Sequence, residues 1–259
     1  MLGYLGAPAA LGELVEEPPH SLVVQSWAAR ELVGAVVSAD GWGASWYLDG
    51  ASEALAYRSV FPIWADVNRR ALCRTVRSSC VLAAVRSATD PLSVSPANTQ
   101  PFCHGSLSFV HNGYIDGFST TVLRRLRSEL SDEQYARIQG NTDSEHLFAL
   151  VLDEHARGAA QSPAERLSDA VRRALLRARA LAVEAEKKAL FSVVVADGNA
   201  LFAARLATGA EPPSLYARPL ELGALVASER LDDDPGWTPL APDSALLVER
   251  GLAPRRVAL

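Results

Sequence analysis

Short apolar or alternating runs, broken by Gly, Pro, Ser and Asp, fill residues 1–118, the pattern of strands joined by turns. The runs SLVVQSW (21–27), ASWYL (44–48), CVLAAVR (80–86) and SLSFVHNG (106–113) are the strands this pattern predicts. From Thr121 to about Lys188 the spacing of apolar positions lengthens to the helical period. Three helices are expected there: TVLRRLRSEL, SEHLFALVLDEHARG, and the long PAERLSDAVRRALLRARALAVEAEKKA, whose Pro163 suits a first turn. Alternation then resumes in LFSVVVADGNALFAARL, where Asp197, Gly198 and Asn199 between two apolar runs signal a hairpin. Short strands continue to the end of the chain. Strands, a helical block and strands again imply an α+β class in which helices pack on antiparallel sheet.

Composition narrows this picture without redirecting it. Hydrophobic residues make up 49% and charged residues 21% of 259 positions, enough to build one sizeable core, so a single domain over 1–259 is expected. The net charge of −5 argues against a nucleic-acid partner. Cys73, Cys80 and Cys103 are too few and too irregularly spaced for a disulfide framework or a zinc site, so no metal or cofactor is expected, and a reducing cytosol fits best. Glu13, Glu16, Glu17, Pro18 and Pro19 interrupt the region where a secretion signal would be apolar, and no run approaches membrane-spanning length, so no membrane association is expected.

Residues able to do chemistry gather at the ends of the predicted strands. Arg86 closes the run before SATDP, where its guanidinium can either grip a carboxylate or end a strand in solvent. Asn112–Gly113 can aim a side-chain amide and a backbone N–H at an oxyanion, or form a plain turn. Thr142 and Glu145 have capping-box spacing, which leaves Asp143 either to complement the helix dipole or to hold an ammonium. His111 reads as a base or as a structural hydrogen-bonding residue. Cys103 and His104 are adjacent, which on an extended chain points them to opposite faces and argues against a catalytic pair. Gly41, Trp42, Gly43 and Trp46 in DGWGASWY suit a tight turn with aromatic packing.

The ordered segments LGYLG, VQSWA, ADGWGASWY, AAVRSAT, NTQPF, HNG, NTDSE and VASERLDDDPGW together resemble a class II glutamine amidotransferase domain of the N-terminal-nucleophile hydrolase superfamily. AAVRSAT and VASERLDDDPGW make the resemblance strongest to the branch that removes glutamate from γ-glutamyl-hercynylcysteine sulfoxide in ergothioneine biosynthesis. It runs from residue 2 to about residue 250 and is weakest in the helical block. The resemblance implies a four-layer αββα sandwich and a small-molecule γ-glutamyl substrate. It implies that Arg86 binds the α-carboxylate, that Asp143 binds the α-ammonium, and that Asn112 and Gly113 form the oxyanion hole. Thr89, His111 and Ser228 are implied as further substrate contacts. Gln100, in NTQPF, stands where many relatives have His, a change expected at the substrate mouth.

The same resemblance implies a nucleophilic cysteine at the amino terminus, attacking the γ-amide to form a thioester that water then cleaves. Relatives begin Met-Cys-Arg and one more residue before LGYLG or LGWLG, whereas here Met1 alone precedes it. Met1 then occupies the fourth family position, and the cysteine is expected just ahead of it. A start assigned at an alternative initiation codon would translate as Met and produce this opening. The rival expectations are an inactive homologue that binds γ-glutamyl compounds and a glutaminase subunit that feeds ammonia to a partner. An oligomer is compatible with all three.

Overall fold

The computed structural model of the chain describes residues 1–31, 37–88, 94–159 and 162–259. Strand β1 (Leu2–Ala10) shows how the layers arise. Gly3 and Leu5 face a second sheet, while Leu2 and Tyr4 face a layer of helices, so both sides are buried and the strand reads as a nearly continuous apolar run.

Around β1 a seven-stranded antiparallel sheet is ordered β11-β9-β10-β1-β4-β2-β3. Its other members are β2 (Trp42–Trp46), β3 (Leu55–Ser59), β4 (Arg77–Val85), β9 (Tyr216–Leu220), β10 (Gly223–Ala227) and β11 (Thr238–Pro239). The second sheet, of six strands, is ordered β13-β12-β8-β7-β6-β5. It comprises β5 (Phe102–His104), β6 (Leu107–Ile115), β7 (Ala189–Ala196), β8 (Ala200–Thr208), β12 (Ser244–Glu249) and β13 (Arg255–Ala258). Leu5, Leu82, Val110, Val194 and Leu201 fill the space between the sheets.

Helices α1 (Leu11–Val15), α2 (Leu22–Ala28) and α3 (Arg69–Thr75) cover the outer face of the first sheet. On the far side α7 (Asp143–Arg157) and α8 (Pro163–Glu184) cover the second, burying Leu147, Val151, Leu167 and Leu175 against Phe191 and Val193. Short helices α4 (Phe118–Thr121), α5 (Leu123–Arg127) and α6 (Asp132–Arg137) lead from β6 into α7. The result is the four-layer αββα sandwich.

Two expectations need correction. SLVVQSW is helix α2, not a strand: Ser21 caps it by accepting from Val24 N, and Leu22, Gln25 and Ser26, spaced i, i+3, i+4, are buried. Seven residues that alternate in polarity also satisfy a helical face, and the local pattern does not choose between them. The capping box at Thr142 forms only in half. Thr142 Oγ1 accepts from Glu145 N, but the Glu145 carboxylate turns to Gln139 N at 2.8 Å and Gly140 N at 2.7 Å, bracing the turn before α7. The 197–199 hairpin forms as expected, with Asp197 Oδ1 accepting from Asn199 N and Ala200 N, and Gly198 at φ 90°.

His146, fully buried on α7, donates from Nδ1 to Thr142 O at 2.7 Å and accepts at Nε2 from Arg127 at 2.9 Å. Burial pushes its imidazole down to about 4; the Thr142 contact opposes this and Arg127 adds to it. Between pH 6.5 and 4 the unfolded chain therefore binds a proton there that the folded chain refuses, so stability falls as pH falls through that window. The expected loss is about 3 kcal/mol by pH 4. His146→Gln should flatten this part of a denaturant-stability profile recorded against pH, and an unchanged slope would assign the loss to other groups.

Candidate active site

The site forms where strand ends from both sheets meet. Leu2 pairs with Ala83 of β4 on one side and Ala227 of β10 on the other, so Met1 stands between Ala84, next to the end of β4, and Ser228, just past β10. Its amine donates to Ser228 Oγ at 2.8 Å, and its carbonyl accepts from Ser228 N at 3.0 Å. Burial pushes the Met1 amine down to about 5 although the Glu229 charge works the other way, so it is uncharged at neutral pH. The Met1 side chain packs into the inter-sheet core with Val110, two residues ahead of Asn112.

Arg86 follows β4. Its N–H donates to Gly41 O at 2.8 Å and its carbonyl accepts from Asp40 N at 2.9 Å, extending the ladder one step past the strand. Burial lowers the pKa of its guanidinium, and the charges of Asp40 and Asp143 offset part of that effect, so both carboxylates act on the same cation.

Asp143, the first residue of α7, accepts from Ile115 N at 2.8 Å through Oδ2 and from Ser144 N at 2.7 Å through Oδ1. The first bond ties the helix to β6 two residues beyond Gly113. Gly113 has φ 147°, and a Cβ there would overlap the Leu190 carbonyl, so the position requires glycine. Asn112 pairs through its backbone with Ser192, and among the described residues nothing hydrogen-bonds its side-chain amide. Met1, Arg86, Asn112, Gly113 and Asp143 thus gather at one end of the sandwich.

Other expected contacts are placed differently. His111 is buried with both ring nitrogens engaged, Nδ1 with Ser144 Oγ at 2.9 Å and Nε2 with Leu190 O at 3.1 Å, and so offers no free nitrogen to a ligand in this arrangement. Ser228 uses its hydroxyl and amide on Met1. Gln100 was expected to shape the substrate mouth, but its side chain accepts from His111 N at 2.6 Å and donates to His111 O at 3.0 Å. It therefore caps the main chain of β6. Thr89 lies outside the described residues.

The three cysteines are dispersed. Cys73 is on α3, Cys80 is in the core of β4 and Cys103 is on edge strand β5, and burial pushes each thiol up to about 12. None is a ready thiolate. His104 meets Arg137 at 3.3 Å.

Sequence reasoning missed Glu229, which organises this end of the molecule. Its carboxylate contacts His20 Nε2 at 2.6 Å and accepts from Arg30 N at 2.8 Å and Glu31 N at 3.1 Å. Burial would raise its pKa, but these partners together hold it below the usual range. The residue stands in VASER, yet its three partners come from residues 20–31, and no local spacing announces them.

Among the described residues no helix is long and apolar enough to cross a membrane, and no group of three or more His, Cys, Asp or Glu is placed to hold a metal. Residues 14–208 match the family described as glutamine amidotransferases class-II. A γ-glutamyl-hercynylcysteine sulfoxide hydrolase from Mycolicibacterium smegmatis is 32% identical over 246 residues, covering 95% of this chain and 93% of its own. Among solved structures, a glutamine aminotransferase class-II domain protein from Silicibacter pomeroyi superposes with TM-score 0.71 at 28% identity, covering 100% of this chain and 98% of its own. The glutamine phosphoribosylpyrophosphate amidotransferase of B. subtilis shares the fold at 19% identity, with TM-score 0.61 over 99% of this chain and 48% of its own. Its architecture and its extended match place this chain in the class II glutamine amidotransferase family.

Proposed function

We propose that the protein hydrolyses the γ-glutamyl amide of γ-glutamyl-hercynylcysteine sulfoxide, releasing glutamate. The observation that carries the reading is the meeting of Arg86 and Asp143, a cation and an anion within each other's field, beside Asn112–Gly113 and the first residue of β1. An amino-acid head group presents the complementary pair, carboxylate to Arg86 and ammonium to Asp143. Anchoring both turns the γ-carbonyl toward the oxyanion donors of β6, and such orientation lowers a barrier by several kcal/mol. The substrate named for the M. smegmatis relative carries this head group.

On this reading the nucleophile is the thiol of a cysteine two residues ahead of Met1, with one Arg between them. The positions of Cys73, Cys80 and Cys103, all away from Arg86 and Asp143 with thiols near 12, favour that placement over any of the three. The thiol adds to the amide carbonyl and a neighbouring amine or water takes its proton. Collapse expels the hercynylcysteine sulfoxide amine, and water then cleaves the thioester to glutamate.

The test measures glutamate release by the chain as it stands and by a form with Met-Cys-Arg placed before Met1. Release by the extended form from γ-glutamyl-hercynylcysteine sulfoxide, faster than from glutamine, is the expected result; no release from any γ-glutamyl amide would overturn the reading. Asp143→Ala in the extended form should reduce kcat/KM by at least about tenfold, because it removes one charged contact worth ~1.5–3 kcal/mol.

A further inference from the structure

Three large aromatic side chains stand open to solvent near the Arg86 end of the first sheet: Trp27 at 47%, Phe61 at 63% and Trp64 at 39% exposure. The Trp27 and Trp64 rings lie 5.7 Å apart at 71°, two walls of a corner. Their segments are separate in sequence, but each is tied to the main chain flanking Arg86. Ser26 O, next to Trp27, accepts from Ser38 N at 2.7 Å, and two residues further Asp40 N bonds Arg86 O. On the other side Phe61 N donates to Ser59 Oγ at 3.2 Å, Ser59 pairs with Trp42, and Trp42 pairs with Val85, the residue before Arg86.

The loop that carries Phe61 and Trp64 is clamped from below. Buried Asp66 accepts from Asn68 N at 2.9 Å and from Trp42 Nε1 and Tyr57 OH at 2.8 Å each. Burial works to raise its pKa, but these bonds outweigh burial and keep the group an ionised carboxylate. The indole corner is therefore mounted on a braced loop. Arg127 lies over Tyr135, Arg218 over Trp237 and Arg230 over Tyr216, each away from this corner.

Electron-rich indole faces attract a cation without needing donors from it, which suits a quaternary ammonium. We propose that Trp27 and Trp64 form a subsite for the quaternary ammonium carried by the non-glutamyl half of the substrate, an inference that rests on the γ-glutamyl reading. The hercynyl group is a histidine betaine and bears a trimethylammonium. The isostere with a tert-butyl carbon in place of the trimethylammonium nitrogen has the same shape and no charge.

Calorimetric titration of the 1–259 chain with γ-glutamyl-hercynylcysteine sulfoxide, with its tert-butyl isostere and with γ-glutamyl-S-methylcysteine sulfoxide tests the subsite. The cation should bind about tenfold tighter than the isostere. Trp27→Leu with Trp64→Leu should bring that ratio to within about twofold, while γ-glutamyl-S-methylcysteine sulfoxide binds as before. Trp64→Phe should keep part of the preference. If the wild-type chain fails to distinguish cation from isostere, the subsite is overturned whatever the variants do, and it is equally overturned if the preference survives both leucines. In either case binding of γ-glutamyl-S-methylcysteine sulfoxide that is lost in Arg86→Ala leaves the glutamyl reading standing. If no γ-glutamyl ligand binds the wild-type chain, both fall together.

Discussion

Asn112→Ala, made in the form that carries the amino-terminal cysteine, is expected to lower kcat by roughly 100-fold to 1000-fold with little change in KM. An oxyanion donor acts on charge that exists only once the carbonyl has been attacked, so its loss falls on turnover and spares ground-state binding. The side chain suits this use because nothing described in the structure occupies its amide. Its neighbour Gly113 lets the backbone take φ 147° against the Leu190 carbonyl, fixing where the pair points. Asn112→Asp should be as impaired as alanine, since a carboxylate repels the developing oxyanion. Steady-state kinetics with wild-type kcat in Asn112→Ala would remove the residue from the mechanism.

The second large effect is on stability. Glu229→Leu should destabilise the fold by ~3 kcal/mol, because it leaves the Arg30 and Glu31 N–H groups and the buried His20 ring without their acceptor. For a chain of this size that corresponds to a thermal midpoint lowered by roughly 6–12 °C. The pH dependence has a definite sign. The Glu229 pKa lies below its unfolded value near 4.5, so its stabilisation is complete above that value and is lost as pH falls below it. The gap between wild type and variant should therefore be widest at neutral pH and close in acid. A melting temperature unchanged by the substitution at pH 7 would show that residues 29–31 hold their place without it.

The two pH effects fall in different windows for a physical reason. His146 opposes protonation from pH 6.5 down to 4 because its site is apolar and its Nε2 already accepts from Arg127. Glu229 resists protonation at a lower pH because its donors favour the charged form.

Much of the fold was readable where the local pattern and the tertiary environment agree. The hairpin at 197–199 needs only Asp and Gly between two apolar runs, and α7 and α8 carry their own caps in Thr142, Ser162 and Pro163. SLVVQSW went wrong because seven residues support two periods, and packing against β4 and the Glu229 network selects the helix. The short helices α1, α3 and α6, of five to seven residues, sit in stretches too brief for any period to declare itself.

The site divides along the same line. Arg86, Asn112, Gly113 and Asp143 could be singled out because each is a distinctive residue at a strand end or helix start, and family resemblance supplied roles for them. The environments of His111, Gln100 and Ser228 could not be read in this way. His111 is closed by Ser144 and Leu190, Gln100 by the main chain of β6, and Ser228 by Met1. Each of these bonds is made between separate elements, and a one-dimensional pattern does not record which polar groups find partners across a sheet.

By itself, then, the sequence determined the class of the protein: alternating and helical periods, turn residues and ordered motifs suffice for an αββα sandwich of the class II glutamine amidotransferase kind. Only the tertiary structure decided which charged groups share a field, which amine is buried to about 5, and which carboxylate holds residues 30 and 31. Periodicity follows from the geometry of the backbone and is written locally, whereas desolvation and hydrogen bonding depend on neighbours that folding brings from as far as 227 residues away.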